Sequence, residues 1–421
     1  MKRFFKYFAL AIVSMAIYTV VVFLGTDKGW WYTPFTQKKA PIQFVASVQE
    51  ELQKEFVGNM AITVFENGKL AEESFYSNGK EVDRNTVFQV ASLSKFVSAI
   101  GVMRLVQEGN LDLDAPAVQY LTRWQLPESD FDNNEVTIRR LLSHTAGLTD
   151  GLGYAGFKNP DNIQSLEASL TNAKDADPGH DGVLKVGIAP GNEWRYSGGG
   201  FTLLQLIVEE VSGQTFDAFM KAEVFEPLQM KSSFYQWDER FRESLSEFYE
   251  SDGSKAQHRY YTAQAASALY TTLADIEKLF FFLDKDNGSQ EPLTPEFKRM
   301  MRLVEAETLG APIYGLGTFL FTELEEGEFI IGHDGKNNPP INTAFRYNPV
   351  ANSGIIILTT GSPDFATRIA SDWVFVQTGK IDALLFVMQQ ERMIRTMIIG
   401  LGIILILLIA IGLIRRVKNN R

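Results

Sequence analysis

A serine three residues before a lysine can form a nucleophile with its own proton acceptor, and this S-x-x-K spacing occurs twice in the chain. Ser92 and Lys95 begin an apolar segment with helical periodicity, so both side chains would share one helix face. The positive potential at a helix N-terminus, with partial burial, would lower the lysine pKa and stabilise an alkoxide. Ser77 and Lys80 instead fall in a glycine-containing turn. We predict Ser92 as nucleophile; a plain helix cap beside a solvated lysine is the structural alternative.

The second candidate motif is a tyrosine followed by small residues, the Y-S-G that begins at Tyr196 in the glycine-rich stretch 190–200. Small neighbours allow a phenol to approach a nucleophile closely. A phenolate beside Lys95 could act as the general base for Ser92. A glycine turn next to a buried aromatic ring is the structural alternative.

The third candidate motif is G-H-D-G at residues 332–335, directly after the apolar strand candidate 329–331. A strand beside a nucleophile supplies backbone N–H groups. Those of Lys336 and Ser92 could together form an oxyanion hole. His333 could orient a substrate or share protons with it, and a histidine satisfied at a strand end is the alternative.

Two uncharged segments at the ends of the chain are typical of membrane-spanning helices. Residues 7–24 and 397–414 are each long enough to cross a bilayer core of about 30 Å. Basic residues precede the first segment and follow the second, which places both chain ends in the cytoplasm and the rest outside. We predict an N-terminal anchor over residues 1–27 and a C-terminal transmembrane helix over residues 396–416. A cleaved signal peptide is the alternative for the first.

Between these segments, the periodicity predicts strands near both ends and helices with loops in the middle. The strands would complete one sheet, and the middle would form an inserted helical lobe. Asn67-Gly68 is a hairpin signal between the first two strands. The predicted helices cover 42–56, from near Ser92 to near Gly109, and 364–377; the predicted strands cover 60–65, 70–76, 314–321, 328–332, 342–348 and 354–359.

Composition excludes several function classes. The 421-residue chain has ordinary globular composition and a net charge of −11, which argues against nucleic acid as a partner. It has no cysteine, and its four histidines form no helical pair. We therefore expect no disulfide, no thiol catalysis and no metal site.

Four segments in chain order resemble the superfamily of serine β-lactamases, D,D-peptidases and esterases, and most closely its branch of class C β-lactamases and related hydrolases. They are SLSK at 92–95, LLSHTAGL at 141–148, PGNEWRYSGGG at 190–200 and GHDG at 332–335. The resemblance covers residues 43–379. It implies an α/β (α+β) fold with an antiparallel sheet flanked by helices and a helical lobe, as one hydrolase domain over residues 42–380.

The resemblance also implies an acyl-enzyme mechanism that needs no cofactor. Ser92 would attack a carbonyl, and Lys95 and Tyr196 would pass its proton to the leaving group, with the choice of base between them open. Water would then release the acyl group. The implied site residues are Ser92, Lys95, Tyr196 and His333 as catalytic residues, and Ser92, Lys336, Gly198 and Gly335 as oxyanion or substrate-binding residues.

Two positions depart from the family pattern. The asparagine of the family's Y-x-N motif is Gly198 here, and the lysine of its K-T-G motif is His333. A cation at the second position would help to hold a substrate carboxylate, whereas histidine is largely neutral near pH 7. Both changes weaken the case for efficient antibiotic hydrolysis.

The sequence leaves three functions in competition. The first is a hydrolase of amide, peptide or ester bonds in a small-molecule or peptide substrate, anchored in the bilayer of a bacterial cytoplasmic membrane and facing the periplasm or exterior. The second is a membrane receptor or regulatory module that keeps the penicillin-recognition fold without turnover. The third is an acyl esterase at the membrane surface. The three intact catalytic residue types favour an enzyme.

Overall fold

The computed structural model describes residues 2–150, 153–284, 291–308 and 310–419, in two compact units. One unit combines Met1–Gln37 with Ser371–Arg421, and the other is Lys38–Ala370. The helices are α1 (Lys2–Asp27), α2 (Pro41–Glu55), α3 (Leu93–Gln107), α4 (Ile138–Leu142), α5 (Leu166–Thr171), α6 (Gly198–Ser212), α7 (Phe216–Met220), α8 (Gln264–Ser267), α9 (Leu273–Asp284), α10 (Pro295–Met301), α11 (Phe365–Thr378) and α12 (Ala383–Asn419). The strands are β1 (Met60–Glu66), β2 (Lys69–Tyr76), β3 (Val87–Gln89), β4 (Phe248–Tyr249), β5 (Lys255–Ala256), β6 (Tyr270–Thr272), β7 (Ala306–Thr308), β8 (Ala311–Tyr314), β9 (Phe319–Glu323), β10 (Phe329–Asn337), β11 (Ile341–Asn348) and β12 (Ser353–Thr360).

The main sheet of the second unit has eight strands within the described residues, in the order β2-β1-β12-β11-β10-β9-β8-β7. Neighbouring strands pair antiparallel, for example with Met60 of β1 opposite Thr359 of β12. Strands β1 and β12 are buried along almost their whole length, which suits their β-branched and aromatic side chains. Early and late strands thus complete one sheet, as the sequence predicts.

Helix α3 is enclosed on nearly every side. It packs against strand β10 of the sheet and against helices α6 and α8 of the helical lobe. Small residues make this closeness possible: a Cβ atom at Gly101 would lie 2.3 Å from the sulfur of Met220. The helix that begins beside Ser92 is therefore packed between the sheet and the helical lobe.

The strands after residue 305 differ from the prediction. The predicted strand 314–321 is two strands, β8 and β9, because the chain turns at Gly317, whose φ is +79° and whose Cβ would lie 2.1 Å from the Cβ of Ala99. Strand β10 also runs past the predicted end at residue 332 as far as Asn337. The G-H-D-G motif therefore lies inside a strand rather than after one.

Two helices of the first unit are long and apolar enough to cross a membrane, over Phe8–Asp27 and Ala383–Ile414. They lie against each other, and the Tyr18 hydroxyl donates a hydrogen bond of 2.8 Å to the Thr396 carbonyl. Most of their apolar side chains are exposed, as lipid contact would require. Helix α12 begins at Ala383, well before the predicted start at residue 396.

Candidate active site

Ser92 lies at a sharp turn between strand β3 and helix α3. Ala91 has φ +47°, a left-handed conformation that strains an alanine. The turn closes through three backbone hydrogen bonds, from the N–H groups of Leu93, Ser94 and Lys95 to the carbonyls three residues earlier, at 3.2, 3.0 and 3.0 Å. Ser92 thus occupies the N-cap position of α3 without using its hydroxyl as a cap, and it stays half-buried at the positive end of the helix.

Lys95 is fully buried one turn into the same helix. Its Nζ donates to the Ser92 Oγ at 3.1 Å and to the Ala266 carbonyl at 2.8 Å. Burial disfavours the ammonium form and lowers the pKa of Lys95 to about 7, against the opposing attraction of Asp150 and Asp177. A large share of the lysine is therefore neutral near pH 7 and can accept a proton from Ser92.

Tyr196 lies directly before helix α6, over the same lysine. Its ring centroid is 4.9 Å from the Nζ of Lys95. Burial raises the pKa of the Tyr196 phenol, and its hydrogen bond with Ser92 acts in the opposite direction. The hydroxyl of the next residue, Ser197, accepts the N–H of Gly200 at 2.8 Å and caps α6, which fixes the chain just after the tyrosine.

His333 is buried on strand β10 beside Tyr196. Its Nδ1 lies 2.6 Å from the Asp334 carbonyl, which can only accept, so Nδ1 carries the ring proton. Its Nε2 faces the hydroxyls of Tyr314 at 3.0 Å and Tyr196 at 3.5 Å. Burial, with repulsion from Lys95, lowers the pKa of His333 to about 3. The ring is thus neutral, and its Nε2 is a hydrogen-bond acceptor for the two phenols.

Gly335 brings strand β10 against the chain that leads to the nucleophile. A Cβ atom there would lie 2.0 Å from the Val90 carbonyl, to which the Thr343 hydroxyl donates at 2.9 Å. Only glycine fits this approach. Lys336 follows opposite Asn342, with its side chain exposed. The strand therefore passes beside the turn at Ser92, and the Lys336 side chain is turned to solvent.

The structure thus gathers Ser92, Lys95, Tyr196 and His333, with Gly335 against the chain at Val90. Gly198 begins α6 and brings no side chain; its carbonyl accepts the Thr202 hydroxyl at 3.2 Å.

The second S-x-x-K copy, Ser77 and Lys80, makes hydrogen bonds to the backbone. The Ser77 hydroxyl accepts the Val82 N–H at 2.8 Å, and Lys80 donates to the Glu243 carbonyl. Neither residue contacts the four gathered side chains in the described part of the chain.

Sequence reasoning missed three contributors to the site. Tyr314 contacts His333, the Ala266 carbonyl contacts Lys95, and the half-buried Asp150 accepts hydrogen bonds from Ser197 and, at 2.6 Å, from the Gly199 N–H. Asp150 lies two residues after the end of the L-L-S-H-T-A-G-L segment, and closeness to that segment is the sequence feature that could have pointed to it. No group of three or more acidic, histidine or cysteine side chains among the described residues could hold a metal ion.

A family model described as "Beta-lactamase" matches residues 44–376. The chain belongs to the Beta-lactamase family. The predicted resemblance and fold class are thereby confirmed, and the chain has the serine hydrolase-type β-lactamase and esterase fold.

Curated relatives and solved structures agree with this assignment. Protein flp from Staphylococcus aureus (strain MW2) is 22% identical over 333 residues, which are 76% of this chain but 63% of flp. The chain thus spans less than two thirds of that relative. Esterase EstB from Burkholderia gladioli is 29% identical over 170 residues, 36% of this chain and 39% of EstB. The octameric penicillin-binding protein homologue from Pyrococcus abyssi shares the fold, with a TM-score of 0.66 at 21% identity over 80% of this chain and 77% of that one.

Proposed function

We propose that this family member is a serine hydrolase that forms an acyl-enzyme with amide, peptide or ester substrates. The observation that carries the proposal is the buried Lys95, with a pKa lowered to about 7 and its Nζ 3.1 Å from the Ser92 Oγ. Holding a lysine in this state destabilises the fold, and a neutral amine beside a serine hydroxyl is what activates it as a nucleophile. A purely structural lysine would need no such neighbour.

In the proposed reaction, the Ser92 Oγ attacks the substrate carbonyl while its proton moves to neutral Lys95, either directly or through the Tyr196 hydroxyl, which gives up its own proton as it accepts that of the serine. The backbone N–H groups of Ser92 and Lys336 donate to the oxyanion. When the carbon–leaving-group bond breaks, the proton passes to the leaving group. Water then attacks the acyl-enzyme, and the same groups return a proton to Ser92 as the acid is released.

The charges around the site favour substrates without a carboxylate next to the scissile bond. His333 is neutral at the strand position where a cation would hold such a carboxylate. Arg346 does not replace that cation, because it is buried and ion-paired with Asp334. Its guanidinium carbon also lies 3.4 Å from the centre of the Phe321 ring. Esters and neutral amides should therefore acylate Ser92 more readily than penicillins do.

The proposal predicts that a fluorophosphonate probe labels the detergent-solubilised protein at Ser92. Ser92→Ala should remove the labelling, because the oxygen that forms the bond is gone. Ser77→Ala is the matched control from the second S-x-x-K copy and should label like wild type. Labelling is read by fluorescence in a gel and located by mass spectrometry.

Equal labelling of wild type and Ser92→Ala would overturn the assignment of the nucleophile. A fluorescent penicillin added in parallel separates the two competing functions. An adduct that forms at Ser92 and decays supports turnover, whereas an adduct that persists supports a receptor, for which the missing amide at Gly198 would be the physical reason.

We also propose that α1 and α12 anchor the chain in a bacterial cytoplasmic membrane, with the hydrolase domain, residues 42–380, in the periplasm or outside the cell. The basic flanks of the two apolar segments support this orientation. The proposed partners are therefore the lipid bilayer and a substrate outside the cytoplasm, with no role for nucleic acid.

This topology predicts that alkaline phosphatase, which is active only outside the cytoplasm, is active when fused after residue 380 and inactive when fused after residue 421. The difference arises because α12 would return the chain to the cytoplasm. Activity at both fusion points would contradict the second crossing. An N-terminal epitope tag that is lost from the mature protein would show cleavage of the first segment.

A further inference from the structure

The segment L-L-S-H-T-A-G-L at residues 141–148 has no part in the reaction as proposed, yet it contains a histidine in an unusual state. His144 follows helix α4, is 2% exposed, and has φ +59°. A non-glycine residue in this left-handed conformation is held there by its surroundings. Its side chain and its carbonyl both form hydrogen bonds with the second catalytic motif, and its ring also contacts Phe201 and Tyr314.

His144 binds the chain on both sides of Tyr196. The N–H of Arg195 donates to the His144 carbonyl at 2.8 Å, and the N–H of Ser197 donates to the His144 Nδ1 at 3.1 Å. The imidazole also covers the phenol, with ring centroids 4.3 Å apart and an angle of 35° between the rings. One buried residue therefore fixes the backbone before the tyrosine, the backbone after it, and one face of its ring.

The direction of these hydrogen bonds sets the charge of the imidazole. Nδ1 accepts from Ser197, so the proton of the neutral ring is on Nε2. Burial, with repulsion from Lys95, lowers the pKa of His144 well below its ordinary value. A neutral ring can pack against Tyr196 without adding a second positive charge near the lysine.

We propose that His144 is the positioning residue that holds the Tyr196 phenol in reach of Ser92, an inference that rests on the proposed hydrolase reaction. Tyr196 transfers a proton only if its hydroxyl stays within hydrogen-bond distance of the serine. The cap of α6 by Ser197 holds the chain on the far side of the tyrosine, and His144 holds both of its neighbours. The L-L-S-H-T-A-G-L segment thereby joins the catalytic machinery without touching substrate.

Two substitutions separate the contributions of the ring and of the acceptor. His144→Asn keeps an oxygen for the Ser197 N–H and tolerates the left-handed backbone, but removes the ring from Tyr196. His144→Phe keeps a ring and removes the acceptor. Each should slow both the hydrolysis of p-nitrophenyl butyrate and the rate of fluorophosphonate labelling by about 10- to 100-fold, because small displacements of a positioned group lower a rate by this factor. In the hydrolysis reaction the change should appear in kcat more than in KM. His180→Asn, at an exposed histidine, is the matched control and should leave the rates unchanged.

The decisive comparison repeats the substitutions in a Tyr196→Phe background. If His144 acts through Tyr196, the second substitution should cause less than about a threefold further loss, because residues that act as a unit are not additive. Losses that multiply in the double variant, or a wild-type rate in His144→Asn, would overturn the inference.

Amide hydrogen exchange tests the positioning without any activity. Peptides that contain Arg195–Ser197 should exchange at least tenfold faster in His144→Phe, with protection elsewhere unchanged. Absence of Ser92 labelling in wild type would overturn the hydrolase proposal alone, and exchange would then decide the role of His144. Unchanged protection at these amides would overturn the inference.

Discussion

Replacing Lys95 by methionine is expected to slow acylation of Ser92 by about 10²- to 10⁴-fold, the range that a general base contributes. Methionine has a similar length and fills the same buried space, but it can accept no proton from the serine. With the Nζ gone, the Ser92 Oγ loses its neighbour at 3.1 Å. The measurement is the second-order rate of fluorophosphonate labelling at pH 8. Lys80→Met, in the exposed second copy of the motif, is the control and should label like wild type.

The same substitution should raise the stability of the fold while it removes activity. Burial lowers the pKa of Lys95 from 10.5 to about 7. At about 1.4 kcal/mol for each tenfold change in proton affinity, the buried ammonium costs on the order of 5 kcal/mol. Loss of the hydrogen bond to the Ala266 carbonyl would destabilise the variant by about 1–3 kcal/mol, which offsets part of this gain. The apparent unfolding temperature of Lys95→Met at pH 6 should therefore exceed that of wild type. A variant that keeps its labelling rate, or one that is less stable than wild type, would contradict this account of Lys95.

The sequence predicts the short distance between Ser92 and Lys95 because helix geometry alone decides it. Two residues three positions apart share a face once the helix begins at the serine, and α3 begins at Leu93. The two long apolar helices and the early strands are predictable for a related reason, since their periodicity or length is local. The catalytic roles of Ser92 and Lys95 stay a prediction until the labelling rates are measured.

Long-range contacts explain what the sequence does not predict. The carbonyl of Ala266 meets Lys95 across 171 residues of chain, and Tyr314 meets His333 only because β8 and β10 belong to one sheet. No spacing rule connects such pairs. The same holds for the break at Gly317, which arises from the close approach of Ala99. Local patterns can suggest which residues react, but they cannot show which neighbours set their pKa.

Acylation of Ser92 should rise about tenfold per pH unit up to pH 7 and level off above it. Only neutral Lys95 accepts a proton, and its pKa of about 7 places the bend there. At pH 5 the labelling rate should be about 100-fold below the plateau. Burial lowers the pKa values of two histidines and raises that of a phenol, which moves these three groups away from the bend, and it raises the pKa values of the two carboxyls that act on Lys95. The groups are, in that order, His144, His333, Tyr196, Asp150 and Asp177.

The stability of the fold should also depend on the protonation of Lys95, whose contribution, like the acylation rate, should rise with pH. Between pH 7 and 10.5 the unfolded chain keeps a proton on Lys95 that the folded chain has released, so the contribution of Lys95 to stability rises with pH in this window. Lys95→Met has no such proton, so its stability advantage over wild type should shrink steadily from pH 7 to pH 10. Unfolding temperatures of both proteins across this range measure the difference directly. A labelling rate that is flat from pH 5 to 9, or an advantage that does not change with pH, would contradict a Lys95 that changes its protonation near pH 7.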